Sequence, residues 1–320
     1  MKITTLIPAY KTQYMAELLE SLRCQTVKPD RIIISDDSPA GEFRTLVSSD
    51  EMRPYLAGMN IGICPGPRQG GYENMRHLLN LWNGGSEFVH FLFDDDVIYP
   101  EFYEQHLLAH GLGNYPCSIS RRWTANESGQ PIDKRPIPVQ IRNIPERFVS
   151  LDADLAFTST IPDCNNWLGE FSNTVFRADA CELIRRPPLL DGIPYYGLED
   201  LGAFLSASLI GPICLIQEHL GYFRTSPHQN TSQTQSLLMK VNHLSWLALA
   251  IAAGRIGKLD QEQISKCIKL MGTLILSNYS DAPDMAEFCE LLPWLLARQP
   301  TADNRFLNAW ERLIERFLTR

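Results

Sequence analysis

Long apolar runs are scarce in this 320-residue chain. The longest lies near "WLALAIAA", residues 246–253, far short of the ~20 residues a membrane span needs. Paired cysteine motifs are absent as well. The eight cysteines, at 24, 64, 117, 164, 181, 214, 267 and 289, form no CxxC pair and stand by no histidine cluster. That spacing argues against a zinc site and suits buried thiols in a reducing compartment. There is no basic stripe: 29 Lys and Arg face 37 Asp and Glu, for a net charge of -8. A nucleic-acid partner is therefore not expected. No GxxxxGK[ST] phosphate loop, internal repeat or low-complexity segment occurs. The opening "MKITTLIPAY" is broken too soon by Pro8 to read as a secretion signal, so a cytoplasmic location is expected.

What is present suffices for a substantial core, with 44% hydrophobic residues. "KITTLIPAY" is a short β-rich run ending near Pro8, and "YMAELLESLRCQT" sets Met15, Leu18, Leu19 and Leu22 at helical spacing. "RIIISDDSPAG" and "EFVHFLFDDD" read as buried strands, and the helix between them is bracketed by Gly70-Gly71 and Gly84-Gly85. Alternating strands and helices with unbroken apolar strands predict a doubly wound α/β domain with a parallel sheet. Ligands bind beyond the carboxyl ends of such strands. The polar ends "IPAY", "SDDSP" and "FDDDVIYP" should therefore meet along one edge. Residues 117–147, with Pro131, Pro136, Pro138 and Pro145 and with Pro116 just before them, read as loop. "GLEDLGAFLSASLIGP" predicts a helix opening with two acids, and everything after about Gln233 reads as helical. The expected division is residues 1–232 and 233–320.

Asp94, Asp95 and Asp96 pose the sharpest question, because they end a buried strand. At ~4 Å and an effective dielectric of ~20, each like-charge contact costs about 4 kcal/mol. A cation, protons or a solvated loop can offset that. The triplet has the chemistry to hold a hard divalent cation against a diphosphate, or to be an acidic turn. Asp36 and Asp37 can accept hydrogen bonds from a base or ribose, or form an Asp-Ser-Pro turn. Tyr10 can cover a base or merely end a strand. Glu199 and Asp200 can favour a helix N-terminus or supply a general base. Arg224 and His228 can meet phosphate and metal, or be solvated.

Taken in order, "TLIPAY", "SLRCQTVKPDRIIISDDSP", "GGYENMRHLL…GGSEFVHFLFDDDVIYPEFY", "FSNTVFR", "GLED" and "LGYFRTSPHQN" resemble the family 2 glycosyltransferases of the GT-A fold. The resemblance covers roughly residues 1–232. It implies a Rossmann-like, mostly parallel central sheet flanked by helices; the all-helical C-terminal domain read from the sequence after about residue 232 matches no motif of the family. It also implies roles. Pro8, Ala9 and Tyr10 line the nucleobase. Asp37 contacts base or ribose, and Asn74 matches the Asn of the helix before the DxD strand. Alignment on Pro100 puts the metal-binding acid at Asp95. Asp94 and Asp96 also satisfy D-x-D, so the register stays open; Asp94 is placed with the donor-binding set and Asp96 with the metal ligands. Asp200 matches the catalytic base of inverting members, and Arg224 and His228 match the tail motif that contacts diphosphate and metal. Phe93 stands where many members carry the first Asp of DxD, and "IPAYK" replaces the frequent "IPxYN".

The implied activity is inverting transfer of a sugar from a nucleotide-diphosphate donor, UDP or dTDP by family habit, with Mn²⁺ or Mg²⁺. The implied acceptor is a bacterial surface glycan, a lipid-linked sugar or a protein. Two competitors are a nucleotidyltransferase, whose Gly-rich basic signature is missing, and a degenerate GT-A protein that binds nucleotide or glycan without turnover. The C-terminal helices can serve homo-oligomer formation, acceptor docking or peripheral membrane contact. In "FLNAWERLIERFLTR", Leu307, Trp310, Leu313, Ile314, Phe317 and Leu318 share one face, which predicts packing on the protein's own body.

Overall fold

The structure, a computed structural model, describes residues 1–134, 136–226 and 233–319. From the N-terminus, β1 (Ile3–Ala9) leads through α1 (Met15–Arg23) to β2 (Arg31–Asp36). Short helices α2 (Glu42–Val47) and α3 (Arg53–Leu56) precede β3 (Ile61–Pro65), and α4 (Gly71–Trp82) returns the chain to β4 (Phe88–Phe91). Next come β5 (Val97–Ile98), α5 (Phe102–Leu112), β6 (Cys117–Ala125), β7 (Pro131–Lys134), α6 (Val139–Arg142) and β8 (Phe148–Leu151). Helix α7 (Ala153–Thr158), β9 (Thr174–Arg177) and α8 (Glu182–Arg185) follow, then the small hairpin β10 (Leu189–Leu190) and β11 (Ile193–Pro194). Helix α9 (Glu199–Ile210) and β12 (Ile213–Arg224) lead to four helices, α10 (Leu237–Arg255), α11 (Gln261–Tyr279), α12 (Ala286–Leu296) and α13 (Ala302–Leu318).

These elements form two compact units. One comprises Met1–Leu151, Leu168–Arg185 and Ile210–Thr225; the other comprises Asp152–Trp167, Arg186–Leu209 and the segment after Thr225. The division expected at residue 232 is a single boundary, whereas the chain crosses between the units five times, the last time just after Thr225.

The first unit is built on one sheet of order β3-β2-β1-β4-β9-β6-β12-β5, with β7 on β6 and β8 on β12. Strands β1, β2, β3 and β4 run parallel, as do β6 and β12, while β9 runs antiparallel between β4 and β6. All of β1 is buried, as are Ile32, Ile33 and Ile34 of β2. Continuous apolar strands of this kind belong in a sheet covered on both faces. Helix α1 turns Met15, Leu18, Leu19 and Leu22 into that core. Residues 117–147 depart from the loop reading. Strand β6 lies inside the sheet, and its polar residues find partners: Ser118 Oγ lies 2.7 Å from His106 Nδ1, and Arg122 pairs with Glu170. Buried polar groups of this sort are tolerated because they are hydrogen-bonded.

In the second unit, Ser236 caps α10 and Asp260 caps α11, the latter in a capping box with Gln263. Helix α10 is the one helix among the described residues long and apolar enough to cross a membrane, yet 72% of that window is buried in the protein. Helix α13 buries Phe306, Leu307, Trp310, Leu313 and Ile314, and Trp310 Nε1 donates to the Pro194 carbonyl at 2.8 Å. Of the stripe expected to pack on the protein's own body, Leu307, Trp310, Leu313 and Ile314 are buried, Phe317 is half-buried and Leu318 stays exposed; Phe306 joins the buried set from outside the stripe.

Candidate active site

The parallel strands β1, β2 and β4 bring their carboxyl ends to one edge, where backbone bonds tie them together. The Asp37 amide donates to the Ala9 carbonyl at 2.8 Å, and the Gly66 amide donates to the Asp36 carbonyl at 2.7 Å. Pro8 and Ala9 are buried in β1 and Tyr10 emerges from its end, 58% exposed.

The two acids after β2 divide the work. Asp36 is a turn builder: Oδ1 accepts from the Ser38 amide at 3.0 Å and Oδ2 from the Arg44 amide at 2.9 Å. Asp37 faces the loop after β3 and accepts the Arg68 amide at 2.5 Å. A Cβ added to Gly66 would stand 2.5 Å from Asp37 Oδ1 and 3.2 Å from Asn74 Oδ1. Asn74, buried on α4, donates to the Ser35 carbonyl at 3.1 Å, and its Oδ1 has no partner among the described residues. Asp37 and Asn74 thus converge on one bare glycine.

The three aspartates sit in the turn between β4 and β5, all buried, and each meets a different environment. Asp94 Oδ2 accepts the Tyr10 and Lys11 amides, both at 2.5 Å, stitching β1 to β4. Burial, with the Asp95 charge, pushes its carboxyl up to about 7 against those two donors. Asp95 pairs with the Lys11 ammonium. Burial opposes the charge on Lys11, but Asp95 and its two neighbours hold the pKa of that ammonium above its ordinary value. Asp96 is 1% exposed; Oδ1 accepts the Arg224 amide at 3.1 Å, and Oδ2 has no partner among the described residues. Burial and the Asp95 charge raise it well above the carboxylate range.

Two expectations change here. Asp96 is expected as a metal ligand, but it is buried, with Oδ1 committed to the Arg224 amide. Arg224 is expected as a diphosphate ligand, but it is fully buried. Its Nε donates to the Asp95 carbonyl at 2.9 Å and its Nη2 to Glu17 at 2.5 Å, and the guanidinium lies 4.0 Å from the Tyr14 ring centre. Arg224 therefore braces the aspartate turn from behind. His228 lies outside the described residues.

Among the described residues no group of three or more His, Cys, Asp or Glu side chains stands ready to hold a metal. Asp95, paired with the half-exposed Lys11 ammonium, has the chemistry of a single carboxylate that would hold a hard ion taking its other oxygens from a diphosphate and water.

In the second unit, Asp200 lies in the first turn of α9. Its Oδ1 accepts the Leu201 amide at 2.7 Å, and Asn166 Nδ2 donates to Oδ2 at 3.2 Å. Glu199 accepts the Gly197 amide at 2.8 Å, and burial raises its pKa. Lys11 and Asn166 are not singled out by the sequence. Lys11 was visible only as a departure from "IPxYN"; Asn166, 34 residues from Asp200, carried no spacing signal.

No protein of curated description matches the chain in sequence. Among solved structures, residues 1–349 of S. aureus TarS in complex with UDP-GlcNAc align with a TM-score of 0.56 at 15% identity, covering 100% of this chain and 92% of that one. The same fragment in complex with UDP gives 0.53 at 17%, with the same coverage. S. aureus TarS gives 0.53 at 17%, covering 98% of this chain and 55% of that one. These likenesses establish the fold. The family described as glycosyl transferase family 2 matches residues 4–190, more than half of the chain. With the strand-end site in place, the chain belongs to glycosyl transferase family 2 and is a glycosyltransferase of the GT-A fold.

Proposed function

We propose that this glycosyltransferase moves a sugar, with inversion, from a UDP or dTDP sugar to an acceptor hydroxyl on a glycan, a lipid-linked sugar or a protein. The observation that carries the donor assignment is the convergence of Asp37, Asn74, Tyr10 and Asp95 at one sheet edge in a family 2 chain. UDP and UDP-GlcNAc in the structural neighbours support a uridine donor.

In this reading Asp37 accepts hydrogen bonds from base or ribose, and the exposed Tyr10 ring covers the base. A divalent cation, Mn²⁺ or Mg²⁺, supplies charge neutralisation on the diphosphate when bound. Asp95 would hold it, and the resemblance adds His228. Asp200 takes the proton from the acceptor hydroxyl, with Asn166 orienting its second oxygen. One displacement by that hydroxyl inverts the anomeric carbon. We place the enzyme in a reducing cytoplasm, in keeping with eight free cysteines.

The test is a panel of sugar nucleotides, read by thermal shift and donor hydrolysis with and without Mn²⁺. Metal-dependent stabilisation by one nucleotide, with slow hydrolysis, is expected. Silence across the panel would leave a degenerate binding protein. Asp200→Asn should cost 10²-fold or more in kcat, on the order of a lost general base, with donor Kd unchanged.

A further inference from the structure

We propose that Lys11 is the resident counter-ion of Asp95, and that it trades that carboxylate for the diphosphate when nucleotide and divalent cation bind together. Metal and nucleotide then bind cooperatively. This rests on the donor and metal reading above and adds a residue and a coupling to it.

The geometry supports an exchange in which the side chain moves and the backbone does not. Lys11 N is fixed on Asp94 Oδ2 at 2.5 Å, so the main chain is anchored to the aspartate turn. Its ammonium pairs with Asp95, and the Lys11 side chain is 37% exposed while that of Asp95 is 10% exposed. The cation therefore approaches Asp95 from the solvent side, the side from which a metal must come. A divalent ion and an ammonium cannot share one carboxylate without like-charge repulsion, so Lys11 excludes metal from the empty protein. A diphosphate removes the conflict because it carries charge for both. The lysine ammonium, a compact charge on a flexible stem, suits phosphate once it leaves Asp95. Arg224 cannot make this move, since its guanidinium is locked behind the turn.

Coupling of this kind is reciprocal: each ligand must tighten the other by the same factor. The experiment measures Mn²⁺ binding by electron paramagnetic resonance and UDP binding by calorimetry, each alone and with the other saturating. Wild type, Lys11→Met, Lys11→Arg and Asp95→Asn are compared as full chains. Wild type should bind Mn²⁺ at least tenfold more tightly with UDP than without. Lys11→Met should bind Mn²⁺ alone about three- to tenfold more tightly than wild type, bind UDP alone more weakly, and show a smaller coupling factor. Lys11→Arg should keep the wild-type coupling, and Asp95→Asn should lose Mn²⁺. An unchanged coupling factor in Lys11→Met overturns the role of Lys11 while leaving the metal reading intact. Wild type that binds UDP but no Mn²⁺ overturns the metal reading and the exchange with it, and leaves the donor reading standing.

Discussion

Acidification should unfold this protein through three histidines that the active site does not use. His90 on β4 and His106 and His110 on α5 are buried together. His90 Nδ1 lies 3.0 Å from the Tyr103 hydroxyl, and its Nε2 lies 2.9 Å from the Ser172 carbonyl. The carbonyl can only accept, so Nε2 carries the proton and Nδ1 takes the Tyr103 hydroxyl hydrogen. His110 Nε2 meets the Val175 carbonyl at 3.2 Å, and His106 Nε2 has no partner among the described residues. Burial lowers all three: His90 to about 3, His110 to about 4, and His106 well below the ordinary value, the latter two also opposed by neighbouring positive charge. Because the folded pKa values lie below 6.5, the unfolded chain binds more protons once pH drops under 6.5. The stability these groups permit is full above 6.5 and is lost as pH falls toward 4 and then 3. One pH unit is about 1.36 kcal/mol per group, so reaching pH 5 costs about 2 kcal/mol at His90 and at His110, with His106 acting in the same direction. Against a total stability of about 5–15 kcal/mol, that is a large share. Asp94 and Asp96, whose pKa values are raised, push the other way, so the test compares variants. Urea unfolding at pH 7.5 and 5.0 would be measured for wild type and His110→Gln. The variant should lose about 2 kcal/mol less than wild type over that interval, even if it starts less stable. Equal losses in the two proteins would refute the assignment of acid sensitivity to His110.

Three further outcomes follow from the geometry. Gly66→Ala places a Cβ 2.5 Å from Asp37 Oδ1, so calorimetry should show nucleotide affinity falling tenfold or more with little change in Tm. Arg224→Lys removes fork-like donors from a fully buried site, and hydrogen bonds to charged groups are worth about 1.5–3 kcal/mol each, so Tm should fall by several degrees even without nucleotide. Gly202→Ala drives a Cβ into the Tyr195 ring, and overpacking of that kind costs about 1–3 kcal/mol, visible as a lower urea midpoint.

Much of this architecture is legible in the sequence because its signals are periodic. Unbroken apolar strands such as Ile32–Ile34 mark β2, and helical spacing marks α1 and the four C-terminal helices. Strand β6 was illegible because Ser118, Ser120, Arg121 and Arg122 dilute its apolar signal, and their partners lie far away in sequence. The grouping of 152–167 and 186–209 with the C-terminal helices is likewise a matter of tertiary contact, which no local pattern carries. Site residues were legible as types and not as orientations. An arginine after an aromatic strand reads as a phosphate ligand until its burial against Tyr14 and Glu17 is seen. Asp94, Asp95 and Asp96 are identical letters, and only the fold assigns them different neighbours.

That difference explains how three adjacent carboxylates persist at the end of a buried strand. If all three were ionised and unpaired, their repulsion and desolvation would far exceed what a turn can offset. The fold meets each acid with a separate remedy. Asp94 receives two backbone amides and sits poised near neutral pH. Asp96 is buried where the protonated form is favoured, under the Arg224 amide. Asp95 alone is matched by a cation on a flexible stem that can leave. Two of the acids thus shape the turn, and they do so at the expense of their own charge. Asp95 is the one of the three that pairs with a side-chain cation, and in the function proposed above an incoming ion and diphosphate would meet it there. A triplet that reads as redundancy in the sequence is, in the function proposed above, one ion-binding carboxylate held by two structural ones. Replacing Asp94 or Asp96 should therefore disturb the fold of the turn before it disturbs ion binding, whereas replacing Asp95 should do the reverse.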